Sequence, residues 1–245
     1  MHPNIGQSRT SIQPRHALLT PESYERLAIP DWEGAELVYL ISPAIGARLS
    51  MFLVEAGKEL TLPAAPDGIR RFILLLDGEA RLAAGSETRA LGREGFAFFP
   101  DAASGRLSVS AGAKLVAFEW NADPKPSAAP LPLVSGSVAD VPRQPSKGDD
   151  GLVVQNLLPK QDTFDAEVNV MNFAPGASLS YVETHFMEHG LLFLDGQGIY
   201  RLGDRWYPVV ESDAIWMGPH ELQWFGALGR TPSRYLIWKN FNRRP

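Results

Sequence analysis

The sequence predicts an all-β fold of two tandem β-barrels. Short segments rich in Val, Ile, Leu, Phe and Trp recur along the chain, and Gly, Pro and Asp separate them at spacings typical of sandwiches and barrels. The chain also repeats itself, because the Asp-Gly pair of FILLLDGEARL, at position 77, returns in LLFLDGQGIYRL at position 195, an offset of 118 residues. No long segment has apolar residues at helical spacing.

The predicted elements are short and follow one another with little intervening chain. Residues 21–27 are predicted to form at most one helical turn. The predicted strands are residues 71–76, 95–99 and 107–118 in the first half, and 167–173, 191–194, 198–202 and 214–217 in the second. Each Asp-Gly pair falls between extended segments, where a tight turn is expected.

The repeat continues on both sides of the Asp-Gly pairs. FLVEAGKELTLP at 52–63 matches NFAPGASLSYVE at 172–183, and SVSAGAKLVAFEW at 108–120 matches FGALGRTPSRYLIWK at 225–239. Residues 121–150 lie between the halves and are rich in Pro, Ser and Gly, which is typical of an extended connector. We therefore expect an N-terminal barrel at 1–122, a linker at 123–150 and a C-terminal barrel at 151–245.

Composition excludes several classes of protein. The chain has 245 residues, no cysteine and a formal net charge of −5. Net negative charge argues against binding nucleic acid through a basic surface, and no apolar segment approaches the ~20 residues that cross a bilayer. The first residues lack the pattern of a secretory signal. We expect a cytoplasmic protein that binds neither nucleic acid nor membrane and has no disulfide, thiolate metal site or cysteine nucleophile.

The segment YVETHFMEHGLLFLDGQG at 181–198 contains the densest group of metal-ligand side chains. Glu183 and His185 are two residues apart, so on a strand they project from the same face. His189 follows where the next apolar strand should begin, and Gln223 opens a later strand. Two neutral imidazoles, a carboxylate and an amide can be buried together if a divalent cation compensates them. The sequence therefore predicts a metal site in the second barrel.

Two other interpretations of these residues compete with this one. His185, Glu188 and His189 spell H-x-x-E-H, an inverted zinc-protease signature that functions on a helix. The flanking residues favour a strand, and Gly190 would interrupt a helix, so we do not expect a protease site. A lone His185 is more often a hydrogen-bonded core residue than a ligand, but the full Glu-x-His-x3-His pattern favours a metal.

The first barrel lacks an equivalent set of side chains. At the offset of 118 residues, Ala65, Asp67 and Arg71 take the positions of the three clustered ligands. Gly105 stands opposite Gln223. This set does not suit a cation, so the N-terminal barrel is expected to have no metal site.

The same residues resemble those of the bicupin proteins. The usual cupin pattern, His-x-His-x3-Glu, six residues and Gly, is permuted here to Glu183-x-His185-x3-His189, six residues and Gly196, with Gln223 replacing the usual last His. With ETHFMEHG, LDGQGIYRLGDRWYPV, LQWFGALG and SRYLIWKNFNRRP, the chain resembles the (S)-ureidoglycine aminohydrolase family through both halves. The local departures are Glu188 beside the ligands and Pro232 in a loop.

The resemblance implies two tandem cupin barrels and a manganese-dependent hydrolysis. The family releases ammonia from (S)-ureidoglycine and gives (S)-ureidoglycolate in ureide catabolism. Its implied residues in this chain are Glu183, His185, His189 and Gln223 as metal ligands, Tyr200, Tyr235 and Lys239 around the substrate, and Glu183 and Lys239 in proton transfer. Fe²⁺ or another divalent cation remains an alternative to Mn²⁺. Because cupin barrels expose sheet edges and apolar faces, we also expect a homo-oligomer.

Two other functions stay open at this point. One is a different metal-dependent cupin enzyme, an oxygenase or isomerase, which would need open coordination positions. The other is a non-catalytic bicupin that binds a small molecule, which predicts no bound metal.

Overall fold

The computed structural model describes residues 6–122 and 130–242, so residues 123–129 of the predicted linker lie outside the described ranges. Within these ranges the chain forms strands and four short 3₁₀ turns, Pro21–Ser23, Pro30–Trp32, Pro43–Ile45 and Val138–Asp140, and no α-helix. The strands are β1 (Ser11–Ile12), β2 (His16–Leu19), β3 (Ala35–Ile41), β4 (Leu49–Ala56), β5 (Leu60–Thr61), β6 (Ile69–Asp77), β7 (Ala80–Ala84), β8 (Glu87–Leu91), β9 (Gly95–Phe99), β10 (Arg106–Val109), β11 (Lys114–Asn121), β12 (Val134–Ser137), β13 (Gln144–Ser146), β14 (Asp149–Asn156), β15 (Glu167–Phe173), β16 (His189–Asp195), β17 (Gln197–Leu202), β18 (Arg205–Val210), β19 (Ala214–Met217), β20 (Gln223–Ala227) and β21 (Ser233–Lys239). No helix in the described residues is long and apolar enough to cross a membrane.

Most predicted strands are present, but one predicted strand is two strands in the structure. The segment 107–118 was expected to be a single strand, but it contains the end of β10 and the start of β11. A turn separates them, because the Ala113 N–H donates to the Ser110 carbonyl at 3.1 Å. Gly112 takes a φ of 79° there, a conformation that glycine adopts without strain. The helical turn expected in 21–27 is the 3₁₀ turn Pro21–Ser23.

The strands form two barrels, as predicted. In the first, a six-stranded sheet of order β12-β9-β6-β11-β4-β3 faces a four-stranded sheet of order β5-β10-β7-β8. In the second, an eight-stranded sheet of order β1-β2-β19-β16-β21-β15-β14-β13 faces a three-stranded sheet of order β18-β17-β20. The pairings between these strands are antiparallel, and side chains alternate between the barrel interior and the opposite face of each sheet.

The internal repeat appears in the strand register. In the first barrel Arg71 of β6 pairs with Glu119 of β11. In the second barrel His189 of β16 pairs with Lys239 of β21. Thus Arg71 and Glu119 take the places of His189 and Lys239.

Three hydrophobic clusters follow from this alternation. One fills the first barrel and another fills the second. The third lies between the barrels, where Phe72 and Phe118 from one large sheet meet Leu192 and Trp238 from the other. The large sheets are therefore apolar on both faces, and the back of each barrel forms part of a shared core.

Each large sheet also gains a strand from outside its own half of the sequence. Strand β2, near the N-terminus, pairs with β19 of the second barrel. Strand β12, which precedes the second half, pairs with β9 of the first barrel. The division into 1–122, 123–150 and 151–245 stays a prediction. The pairings show in addition that one strand of the N-terminal half, β2, joins the second barrel and that one strand of the predicted linker, β12, joins the first.

Candidate metal centre

The predicted ligands lie at one end of the second barrel, on two strand starts and one loop. His189 is the first residue of β16, and Gln223 is the first residue of β20. Glu183 and His185 were expected on a strand, but the structure places them in a loop with a single bridge, Glu183 to Gln223. The loop is held instead by neighbouring backbone, because the His220 N–H donates to the His185 carbonyl at 2.7 Å.

Three of the four predicted ligands converge. The ring centroids of His185 and His189 are 4.7 Å apart, and the Gln223 side-chain nitrogen is 2.8 Å from Nε2 of His185. Nδ1 of His185 and both ring nitrogens of His189 are buried without a hydrogen-bond partner. Buried polar atoms normally have partners, so this group of unsatisfied nitrogens marks a place where a ligand is expected.

The Glu183 carboxylate is adjacent but points to another residue. Its Oε1 accepts a hydrogen bond from Nζ of Lys147 at 2.8 Å, and the same ammonium group donates to the Tyr181 hydroxyl at 2.7 Å. Among the described residues, no group of three or more His, Cys, Asp or Glu side chains is arranged to hold a metal. Sequence reasoning missed Lys147, because it falls in the segment assigned to the linker and nothing near it marks a site.

Electrostatics keeps both imidazoles neutral. Burial lowers the pKa of His189 well below its ordinary value, and Lys239 and His185 lower it further. Burial also lowers the pKa of His185, although the charge of Glu183 partly offsets this. A neutral imidazole is the form that binds a metal, because one ring nitrogen then carries a free lone pair. The residues therefore fit a divalent cation.

The predicted substrate residues face the same interior. Lys239 pairs with His189 in register, and its Nζ is 3.5 Å from a carboxylate oxygen of Glu167. Burial lowers the pKa of Lys239, while Glu167 acts in the opposite direction. Tyr200 and Tyr235 are buried with ring centroids 6.4 Å apart. Burial raises the pKa of both phenols, so both are neutral hydroxyls at neutral pH.

The matching end of the first barrel has different chemistry. A cavity of about 260 Å³ opens there, lined by Arg71, Asp101 and Gly105 among others. The Arg71 guanidinium donates through Nε to Glu119 at 2.6 Å, so the cation of this barrel already has a carboxylate partner. The unsatisfied imidazole nitrogens of the second barrel make that end the stronger candidate site.

Comparison with known proteins identifies relatives across nearly the whole chain. No family model matches it. The chain is 37% identical over 241 residues to an (S)-ureidoglycine aminohydrolase of Arabidopsis thaliana, covering 98% of this chain and 80% of the relative. It is 33% identical over 235 residues to the (S)-ureidoglycine aminohydrolase of Escherichia coli, covering 93% and 88%.

Solved structures agree with these relatives. The crystal structure of the Escherichia coli protein Ylba superimposes with a TM-score of 0.85 at 30% identity, covering 98% of this chain and 97% of that one. An oxalate decarboxylase gives a TM-score of 0.69 at 9% identity, covering 93% and 78%, which is a likeness of fold alone. The predicted fold and the resemblance are therefore confirmed, and the chain belongs to the (S)-ureidoglycine aminohydrolase family, built on two tandem cupin barrels.

Proposed function

We propose that this protein hydrolyses (S)-ureidoglycine to (S)-ureidoglycolate and ammonia in ureide catabolism, using a divalent cation held by Glu183, His185, His189 and Gln223. The unsatisfied ring nitrogens of His185 and His189 beside the Gln223 amide carry this proposal. Family membership supports the reaction, because the curated relatives bear the name of this activity.

The donor set suits Mn²⁺ better than a metal that prefers thiolate ligands. It consists of two imidazoles, one carboxylate and one amide oxygen and has no soft sulfur ligand, although affinity alone would favour Zn²⁺ or Ni²⁺. Fe²⁺ is the nearest alternative. A bound divalent cation supplies positive charge that stabilises negative charge on the reacting substrate.

The protein's own side chains account for binding and proton movement. Lys239, whose side chain is 20% exposed, presents an ammonium group to the substrate carboxylate, a charge-assisted contact that also fixes orientation. The neutral hydroxyls of Tyr200, on the three-stranded sheet, and Tyr235, on the eight-stranded sheet, face the same interior and can hydrogen-bond the ureido group. Binding at three sides in this way discriminates between enantiomers.

We assign to Glu183 the proton transfer that the reaction requires. Water adds its oxygen to the substrate carbon as the carbon–nitrogen bond breaks. One water proton stays on the new hydroxyl group, and the other leaves with the amine as ammonia. A carboxylate oxygen of Glu183 accepts that second proton and returns it to the departing nitrogen.

Metal analysis of the purified protein, combined with ammonia release from freshly generated (S)-ureidoglycine, tests this proposal. Fresh substrate is needed because the compound decays spontaneously. We expect one bound cation per chain and ammonia release that a chelator abolishes. His185→Ala should lose the metal and the activity while the protein stays folded. His220→Asn, in the neighbouring loop, is the matched control, since its side chain is exposed and Asn tolerates its φ of 63°.

The result also separates the other functions. Oxygen consumption without ammonia release would indicate an oxygenase, and a folded protein that holds no metal would indicate a binding protein. Full metal content in purified His185→Ala would remove His185 from the ligand set.

We further propose that the chains associate as a homo-oligomer in the cytoplasm. The outer face of the three-stranded sheet exposes large apolar side chains, including Trp206 and Leu228, and such patches commonly mark contact surfaces. The mass of the protein in solution, measured by light scattering, tests the association, and a monomer at micromolar concentration would contradict it.

A further inference from the structure

Glu188 is a buried carboxylate that the proposed reaction does not use. Its side chain is 1% exposed and faces the junction of the two barrels. One oxygen accepts hydrogen bonds from Nε1 of Trp216 at 2.7 Å and from the backbone N–H of Arg48 at 2.8 Å. The other oxygen lies 3.3 Å from Nε of Arg48. A buried carboxylate with these donors is strongly held, because losing them would leave an unpaired charge out of water.

The backbone of Glu188 is also fixed. Its N–H donates to the side-chain oxygen of Asn240 at 2.6 Å, and its carbonyl accepts from the Asn240 N–H at 3.3 Å. Glu188 immediately precedes the predicted ligand His189, and Asn240 immediately follows Lys239. The two site residues are therefore joined at their neighbours as well as through the strand pair β16–β21.

The partner of Glu188 belongs to the first barrel. Arg48 lies just before β4. The next residue, Leu49, packs against Gly190, which follows His189 as Glu188 precedes it. A Cβ atom added to Gly190 would lie 2.8 Å from Cδ1 of Leu49 and 3.0 Å from Cδ1 of Ile41. The first barrel thus contacts both neighbours of His189 in the sequence, Glu188 and Gly190, while the imidazole points into the second barrel.

We propose that Glu188 is a positioning residue: Trp216 of the second barrel and Arg48 of the N-terminal barrel hold its carboxylate, and this anchor keeps His189 in its ligand orientation. The inference rests on the proposed function for the role of His189. The first barrel has an Arg71–Glu119 pair in place of the site residues. Under this proposal it nevertheless contributes directly to the activity of the second barrel. Removal of a residue that orients a metal ligand typically lowers metal affinity 10- to 100-fold.

The chain offers a matched control for loss of an ion pair between the barrels. Arg234 donates to Glu94 at 2.8 Å and also pairs with Asp195. This group links the same two barrels at the opposite end of β16 and β21. Glu94→Ala therefore removes an ion pair between the barrels far from His189, at a carboxylate that is 25% exposed.

The test compares Glu188→Ala, Glu188→Gln and Arg48→Ala with Glu94→Ala in the full-length protein. Three experiments are made: Mn²⁺ titration for the dissociation constant, kinetics of ammonia release for kcat and KM, and hydrogen exchange of the amides in 184–190. We expect Glu188→Ala to weaken Mn²⁺ binding about 10- to 100-fold and to accelerate exchange in 184–190. Glu188→Gln should restore part of the affinity, because its amide oxygen still accepts from Trp216 and the Arg48 N–H. Arg48→Ala should have a smaller effect, since it keeps those two donors.

The control and the exchange measurement make failure of this inference distinct from failure of the proposed function. If Glu188→Ala matches Glu94→Ala in Mn²⁺ affinity and in exchange of 184–190, Glu188 is merely structural and the inference is wrong. If the wild-type protein binds no metal, the proposed function fails. Exchange in Glu188→Ala still tests the inference in that case: faster exchange confined to 184–190 supports the positioning contact, and unchanged exchange overturns the inference.

Discussion

His189 shows how one residue can be unfavourable for the fold and useful for the site. Both of its ring nitrogens are buried without a hydrogen-bond partner. A buried polar group without a partner costs about 1–3 kcal/mol. The protein therefore carries a local cost that a bound cation would relieve, which explains why an apolar barrel interior contains an imidazole at this position.

This cost leads to a prediction for His189→Leu. The substitution removes the unsatisfied nitrogens, so the metal-free protein should become more stable by about 1 kcal/mol. Addition of Mn²⁺ should stabilise the wild-type protein and leave the variant unchanged. Chemical denaturation with and without Mn²⁺ measures both effects. Equal stabilisation of the two proteins by Mn²⁺ would contradict the assignment of His189.

Lys239 is predicted to bind substrate without binding the metal. Replacing it with Met keeps the length of the side chain and removes the charge that faces the substrate carboxylate. A hydrogen bond to a charged group contributes about 1.5–3 kcal/mol, so kcat/KM should fall about 10- to 100-fold with full metal content. Lys160→Met is the control, because Lys160 is exposed and influences Lys239 only through its charge. Loss of metal from Lys239→Met would show a different role.

Residue patterns predicted part of this site and missed the rest for a physical reason. The two imidazoles and Gln223 were found because ligand spacing and strand starts are local in sequence. Lys147 and Arg48 contact Glu183 and Glu188 from segments 36 and 140 residues away, and no local pattern records such contacts. The segment of Glu183 and His185, expected to be a strand, is a loop whose backbone hydrogen bonds go to His220 and Gln223.

At the scale of elements, the N-terminal arm of residues 9–19 is attached to the second barrel by polar contacts. Arg9 pairs with the fully buried carboxylate of Asp213 at 2.6 Å. His16 lies 3.0 Å from a carboxylate oxygen of Glu221 and 2.9 Å from the Tyr207 hydroxyl. Glu221 precedes Gln223 by two residues, so the arm supports the loop that leads to the site.

The arm should make stability depend on pH through His16. Burial lowers its pKa below 6.5, although Glu221 acts in the opposite direction. The unfolded chain then takes up the proton more readily than the folded one, so the neutral ring contributes stability above about pH 6.5 and this contribution is lost as the pH falls. Unfolding of the wild-type protein and His16→Gln between pH 7.5 and 5.5 should show a steeper loss in the wild type. Parallel curves would contradict this role.

The arm also shows why some elements escaped prediction. Strands β1 and β2 have two and four residues, too few for an alternating pattern to be recognised. Strand β1 pairs only with β2, and β2 pairs with β19 about 200 residues later, so a distant pairing brings both strands into the sheet. Strands β9, β15 and β19 were predicted with their observed bounds, because they are buried along almost their whole length and are rich in apolar residues.

For the whole molecule, the shared core implies that the two barrels fold together. The back of each large sheet contributes Phe, Trp and Leu side chains to one cluster, and β2 and β12 cross between the halves. A fragment of residues 151–245 would expose this apolar face and lack β2. We expect it to be insoluble or without a cooperative thermal transition, whereas the full chain unfolds in a single transition. A soluble fragment with a sharp transition and bound Mn²⁺ would show that the barrels are independent.

Anomalous diffraction from crystals of the manganese-loaded protein locates the bound ion. We predict one strong peak in each chain, in the second barrel between His185 and His189, within bonding distance of Glu183 and Gln223, and none at Arg71 in the first barrel. A peak at another position, or no peak in protein with full ammonia-releasing activity, would contradict the proposed centre.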